Sequence, residues 1–161
     1  MKTTKLNKVL IALDYDPTAQ KVATAGFSMA KSMNAEVTLL HVIADPIYYS
    51  STAYSPIMGL VGEMETFPMQ LENMEGIKIV SQHFLDKFKH HLGDETIQTL
   101  VGEGDFATTI LKTAKSIHAD VIVMGSHSRK WLDNILMGSV TQDVIKQTTI
   151  PLLIIPTKKQ G

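Results

Sequence analysis

Five short apolar runs recur along the chain, each bounded by turn residues. Continuous apolar runs of this length are typical of strands that are buried on both faces of a sheet. We therefore predict five strands, at Lys8–Leu13, Glu36–Ile43, Thr96–Val101, Val121–Met124 and Pro151–Pro156.

The stretches between these runs show the three-to-four-residue periodicity of amphipathic helices. Asp16 can cap a first helix that begins at Pro17 and extends to about Met33. Small residues around Gly26 form a face of this helix that can lie close to a sheet. The other predicted helices are Glu75–His91, a helix after the cap residue Asp105, and Val140–Gln147 after the cap residue Ser139.

Strands that alternate with helices, and that are apolar throughout, predict an α/β fold with an open parallel sheet and helices on both faces. In such sheets a ligand binds beyond the carboxyl ends of the strands, at the point where the strand order reverses. Asp14 follows the first strand and Gly125 follows the fourth. If those two strands are neighbours, an acidic side chain and a glycine turn share one crevice.

The last strand carries a proline at each end, Pro151 and Pro156. Proline cannot donate a ladder hydrogen bond, so it is confined to strand ends and sheet edges. A short apolar edge strand can pair with a second copy of itself across a two-fold axis. We therefore predict a homodimer that forms through Pro151–Ile155.

Composition and charge narrow the class of protein. At 161 residues the chain is expected to form one domain, residues 1–161. A formal net charge of -1 gives no support for nucleic acid or an anionic membrane as a partner. The lack of cysteine excludes disulfides, thiolate nucleophiles and zinc–thiolate sites. The first apolar run is too short for a signal peptide or a membrane span, so we expect a cytoplasmic protein.

The segment from Asp45 to about Asn73 breaks the alternating pattern and is rich in proline, tyrosine and methionine. A loop of this length is a functional lid, a partner-binding segment or an insertion without fixed structure. The sequence leaves these alternatives open.

Two glycine-containing turns are candidates for an anion-binding site. Gly125 ends the fourth strand, and the pair Gly138-Ser139 precedes the last helix. Backbone N–H groups at a helix N-terminus, together with the helix dipole, favour a phosphate. Asp14 could accept a hydrogen bond from a ribose hydroxyl or an adenine amine. The alternative is that these residues form turns only and bind no ligand.

Other motifs are weaker. The run Gly102–Ala107 mimics a dinucleotide fingerprint, but it follows the third strand instead of the first, and we interpret it as a strand-to-helix turn. The acidic residues Glu103 and Asp105 would favour the helix N-terminus there. No P-loop signature is present.

Histidine and serine residues do not assemble into a recognisable catalytic or metal set. His127 lies between Ser126 and Ser128, but no nucleophile elbow and no orienting carboxylate accompany them, so a hydrolase triad is rejected. His83 and His90 share a helix face without further ligands, and we interpret that face as solvated. His41 lies in a buried strand and is interpreted as a hydrogen-bonded core histidine.

Taken together, several motifs resemble the universal stress protein family over essentially the whole chain. They are Val-Leu-Ile-Ala-Leu-Asp14, Leu-Leu-His-Val42, Gly102-Glu-Gly104-Asp, Val-Ile-Val-Met-Gly125-Ser-His-Ser128, Gly138-Ser-Val140 and Ile-Pro-Leu-Leu-Ile-Ile-Pro156. The resemblance implies a sheet of five parallel strands in the order 3-2-1-4-5.

The resemblance also implies ATP binding, with Mg²⁺ or Mn²⁺ held through the phosphates and no metal ligand from side chains alone. Asp14 and the backbone of Val42 would meet the adenosine, and the glycine turns would cradle ribose and phosphates. The implied nucleotide-binding residues are Ala12, Asp14, Val42, Met124, Gly125, His127, Ser128, Gly138, Ser139, Val140 and Thr141.

Ser128 stands where the family's ATP-binding motif has its second glycine. A left-handed backbone there would cost a serine roughly 1–2 kcal/mol. A hydrogen bond from the serine hydroxyl to a phosphate would stabilise the bound nucleotide by about 1 kcal/mol or somewhat more. Because these terms nearly cancel, we expect ATP binding to be retained.

We therefore expect a cytoplasmic stress or regulatory protein that binds ATP, with at most slow hydrolysis because no general base is identifiable. The alternative is a dimeric interaction protein that binds no nucleotide and holds a protein partner through residues 45–73. An adenylyl-transferring enzyme ranks last, because only fold-level analogy supports it.

Overall fold

A computed structural model of the chain describes residues 3–14, 18–43, 74–126 and 137–157. Within these ranges five parallel strands form one sheet in the order β3-β2-β1-β4-β5, as predicted. The strands are β1 (Lys8–Ala12), β2 (Glu36–Ile43), β3 (Gln98–Glu103), β4 (Val121–Gly125) and β5 (Leu152–Ile155). The described helices are α1 (Ala19–Ser32), α2 (Met74–Leu92), α3 (Phe106–Ser116) and α4 (Ser139–Gln147).

Helices cover both faces of the sheet, because alternate strand residues point to opposite sides. In β1, Ile11 belongs to a core cluster that α1 and α2 complete, and Leu10 belongs to a second cluster completed by α3 and α4. Gly26 of α1 allows the helix to lie close to β1 in the first cluster, since a Cβ there would lie 2.8 Å from Cδ1 of Ile11. The predicted small-residue face of α1 is therefore confirmed.

The predicted start of the third strand was wrong by two residues, since β3 begins at Gln98 and not at Thr96. Asp94 holds the preceding residues in a turn: its carboxylate accepts from the Thr96 N–H at 2.9 Å, and its carbonyl accepts from the Ile97 N–H at 3.3 Å. At the other end β3 continues through Glu103, because Gly102 and Glu103 pair with β2.

The described part of α1 begins at Ala19, with Thr18 in the cap position, whereas Pro17 was the predicted first residue. Asp16 and Pro17 lie outside the described residues, and so does the segment 45–73. Among the strands of the described ranges, β5 has β4 as its one neighbour and lies at an edge of the sheet, as predicted. Among the residues that the structure describes, no helix is long and apolar enough to cross a membrane.

Candidate functional site

The strand order reverses between β1 and β4, and this point contains the candidate site. The two strands are paired neighbours, with Ile11 opposite Val123. Asp14 follows β1 and is half-buried, and Gly125 ends β4. The acidic side chain and the glycine turn therefore follow adjacent strands at the carboxyl edge of the sheet, which is where open α/β sheets bind ligands.

The segment that precedes Asp14 is bound to β2 through both of its backbone polar groups. The Leu13 N–H donates to the Leu40 carbonyl at 2.8 Å. The Leu13 carbonyl accepts from Nδ1 of His41 at 2.8 Å, and the imidazole is 2% exposed. The prediction that His41 is a hydrogen-bonded core residue is confirmed.

The turn after β4 is organised by Ser126. Its N–H donates to the Ile155 carbonyl at 3.0 Å, and its carbonyl accepts from the Gly138 N–H at 2.7 Å. Its hydroxyl accepts from the Thr157 N–H at 3.0 Å and lies 3.1 Å from the Thr157 hydroxyl. Ser126 thus links the end of β4 by hydrogen bonds to the end of β5 and to Thr157 after it, and also to the start of α4.

Helix α4 begins directly beside this turn, one residue earlier than predicted. Gly138, not Ser139, occupies the cap position, and no side chain caps the helix within the described residues. Ser139 is already helical, because the Gln142 N–H bonds to the Gly138 carbonyl at 3.1 Å. The expected capping role of Ser139 is therefore wrong.

Thr141 aligns the first turn of α4 with β4. Its side chain is fully buried, and its hydroxyl donates to the Gly125 carbonyl at 2.9 Å. A ligand in the crevice could meet only the backbone of Thr141, since the side chain already points into the protein.

The N-terminus of α4 is electropositive. The N–H groups of Ser139, Val140 and Thr141 belong to the first turn, where a helix has no carbonyl of its own to bind them. The first turn contains no acidic residue, and the Gly138 cap has no side chain. These donors and the helix dipole therefore favour an anion at the end of β4.

The turn after β3 is a structural junction, as predicted. Asp105 caps α3 by accepting from the Thr108 N–H at 3.0 Å, and this bond holds the pKa of the Asp105 carboxyl below its ordinary value. Glu103 was expected to favour the same N-terminus, and the contact that the structure gives its carboxylate is with α2. Its carboxylate binds Nζ of Lys78 in α2 at 2.5 Å, and this contact raises the pKa of Lys78.

The described candidate residues fall into two groups at the carboxyl edge of the sheet. One follows β1 and β2, and the other surrounds the end of β4 and the start of α4. Met124 and Val42 are 4% and 5% exposed and share a core cluster, so only their backbones could meet a ligand. His127 and Ser128 lie outside the described residues.

Three groups at this edge have roles that the sequence analysis did not assign: the Leu13 carbonyl, the Ser126 carbonyl and the Thr157 hydroxyl. The sequence around Ser126 suggests a nucleophile only as a rejected alternative, and nothing in the sequence around Thr157 indicates a role for its hydroxyl. Their partners lie far away in sequence, 31 residues in the case of Ser126 and Thr157. The position of the polar residue Ser126 directly after the apolar strand β4 was the one feature of the sequence that could have indicated its role.

Comparisons with known proteins agree with this fold. A family model described as the universal stress protein family matches residues 5–156. The chain is 31% identical over 157 residues to universal stress protein MJ0577 of Methanocaldococcus jannaschii, covering 94% of this chain and 95% of that protein. It is 30% identical over 154 residues to universal stress protein YxiE of Bacillus subtilis, covering 92% and 98%.

Solved structures give the same result. The structure of MJ0577 superposes with a TM-score of 0.69 and 27% identity, covering 98% of this chain and 100% of that chain. A universal stress protein crystallised in complex with cAMP superposes with a TM-score of 0.62 and 17% identity, covering 96% and 100%.

Proposed function

The chain belongs to the universal stress protein family, and we propose on that premise that it binds an adenine nucleotide, ATP, in the crevice at the ends of β1 and β4. The observation that carries this proposal is the N-terminus of α4, which begins without an acidic side chain and is fastened to the end of β4. A family neighbour of the same fold was crystallised with cAMP, which is also an adenine nucleotide.

The two groups of residues suit the two ends of such a ligand. Asp14, with the backbones of Ala12 and Val42, would meet the adenosine. The backbones of Met124 and Gly125, with His127 and Ser128, would line the ribose and the first phosphates. The backbone N–H groups of Ser139, Val140 and Thr141 at the start of α4 would bind the outer phosphates. Gly138, whose own N–H donates to the Ser126 carbonyl, would border them without a side chain. A divalent ion, Mg²⁺ or Mn²⁺, would neutralise phosphate charge and be held by the phosphates themselves.

Isothermal titration of the purified protein with ATP and Mg²⁺ tests the proposal, with AMP as the comparison ligand. We expect micromolar binding of ATP and weaker binding of AMP, because AMP lacks the outer phosphates. Asp14→Ala and Gly138→Trp should each abolish measurable binding, the first by removing the carboxylate and the second by placing an indole beside the start of α4.

Asp86→Ala is the matched control, since it removes an exposed carboxylate from α2 whose partner is Gln82 at 2.9 Å. It should bind ATP like the parent protein. Equal affinity for ATP in the parent, Asp14→Ala and Gly138→Trp would contradict the assignment of the site. Absence of binding to a folded parent protein would contradict the function.

We also propose that the protein forms a homodimer through β5 and acts as a regulatory stress protein in the cytoplasm. The residues of β5 from Leu152 to Ile154 are half-buried. Because the Leu153 and Ile155 backbones face β4 in the ladder, the Ile154 N–H points outward from the sheet edge.

A proline at position 154 would remove this outward donor without removing a bond to β4. We expect Ile154→Pro to elute as a monomer in light-scattering chromatography and Ile154→Val to remain a dimer. A parent protein that is monomeric at micromolar concentration would refute the dimer, and a dimeric Ile154→Pro would refute this interface.

A further inference from the structure

The buried imidazole of His41 replaces a backbone donor at the end of β1. A carbonyl oxygen can only accept, so Nδ1 of His41 must carry the proton that binds the Leu13 carbonyl at 2.8 Å. The ring is fixed from the other side by Phe84 of α2, whose centroid lies 5.4 Å away at an interplanar angle of 67°. The imidazole is therefore held between α2 and the strand end.

The parallel ladder shows what this side chain displaces. Pairing of β1 with β2 ends at Ala12 and Leu40, and the Leu13 N–H then donates to the Leu40 carbonyl. In a regular parallel ladder the next bond would run from the Val42 N–H to the Leu13 carbonyl. That carbonyl instead accepts from the His41 side chain.

The backbone of Val42 consequently faces the crevice. Adjacent residues of a central strand point their polar groups to opposite neighbours, and the Ile43 carbonyl accepts from the Gly104 N–H on the β3 side. The N–H and carbonyl of Val42 therefore point to the β1 side, past the last paired residue of β1 and beside the segment that carries Asp14.

We propose that His41 is a positioning residue of the nucleotide site. By taking the Leu13 carbonyl, it ends the β1–β2 ladder one bond early, fixes the backbone directly before Asp14 and leaves the Val42 backbone to bind the base. This proposal rests on the proposed function, since it concerns the adenosine end of the same ligand.

A binding experiment tests the proposal with three variants. His41→Leu removes the donor, His41→Asn retains an N–H donor near the position of Nδ1, and Leu39→Ala opens the same core two residues earlier on the same face of β2. We expect His41→Leu to weaken ATP binding about tenfold, His41→Asn to recover most of this loss and Leu39→Ala to bind normally.

A double variant separates positioning from general loss of structure. The Asp14→Asn protein, which is expected to bind ATP weakly, serves as the second background. If His41 acts through the Asp14 segment, adding His41→Leu to Asp14→Asn should lower ATP affinity by less than threefold, whereas His41→Leu lowers it about tenfold in the parent protein. Equal tenfold effects in both backgrounds, or normal affinity of His41→Leu, would overturn the proposal.

Nuclear magnetic resonance gives a readout that needs no nucleotide. We expect the imidazole ¹⁵N spectrum to show the Nδ1–H tautomer, and His41→Leu to accelerate exchange of the Leu13 amide more than that of core amides in β4. An Nε2–H tautomer would overturn the proposal. If the parent protein binds no ATP but shows these signals, the proposed function fails while the positioning of the strand end by His41 stands.

Discussion

Replacing Thr141 by valine should weaken both the fold and phosphate binding. The variant keeps a branched side chain but removes the hydroxyl that donates to the Gly125 carbonyl at 2.9 Å. Thr141 is 0% exposed, so water cannot replace the lost donor. Leaving a buried acceptor without its partner costs about 1–3 kcal/mol. We expect the free energy of unfolding to fall by about 1.5 kcal/mol, within this range.

For a domain of this size, each kcal/mol corresponds to a shift in Tm of roughly 2–4 °C. Calorimetry should therefore show Tm lowered by about 3–6 °C. Because the same hydroxyl orients the first turn of α4 against β4, titration should also show ATP affinity lowered about five- to tenfold. Thr141→Ser should restore both quantities.

Thr113→Val is the matched control. The Thr113 hydroxyl donates to the Thr109 carbonyl at 2.8 Å within α3, and that carbonyl also receives the regular helical bond. Its removal leaves no acceptor without a partner, so the free energy of unfolding should change by less than about 0.5 kcal/mol. Equal losses of stability in Thr141→Val and Thr113→Val would contradict the role of the Thr141 hydroxyl in stability. Normal ATP affinity in a destabilised Thr141→Val would contradict its role in orienting α4.

Three further predictions concern the rest of the fold. Gly102→Ala should lower the free energy of unfolding by about 1–3 kcal/mol in urea titration, since its Cβ would lie 2.6 Å from Cγ2 of Thr109; an unchanged midpoint would contradict it. His118→Gly should raise stability by about 1 kcal/mol, because His118 has a φ of 56°; a lower Tm would contradict it. Asp105→Ala should cost about 1 kcal/mol at pH 7. The pKa of the Asp105 carboxyl is lowered from 3.8 by its bond to Thr108, so its stabilisation is present at neutral pH and lost as the pH falls through the lowered pKa. The difference from the parent protein should therefore shrink towards pH 3, and a constant difference would contradict the cap.

The sheet could be predicted from the sequence because each strand is a separate apolar run with helices between. The run Glu36–Ile43 matched β2 at both ends, since the residues after Glu36 are buried or partly buried and only Thr38 and His41 interrupt the apolar pattern. The start of β3 was wrong because the Asp94 turn competes for the same residues through side-chain hydrogen bonds, which an apolar pattern does not report.

The candidate site could be predicted only in outline. Gly125 and Gly138 marked the two turns, but the Ser126 carbonyl binds the Gly138 N–H and the Ser126 hydroxyl binds the Thr157 N–H, and neither contact is visible in the sequence. Likewise, the sequence showed a buried His41 but not that its partner would be the carbonyl before Asp14. Such contacts depend on which strands become neighbours, so they follow from the fold and not from local spacing.

The proposed nucleotide site is best tested by a crystal structure of the protein grown with ATP and Mg²⁺. We expect adenosine beside Asp14 and the Val42 backbone, with phosphate oxygens within hydrogen-bond distance of the N–H groups of Ser139 and Val140. ATP bound anywhere else on the protein, or crystals without nucleotide at a concentration of ATP that saturates the titration, would contradict it.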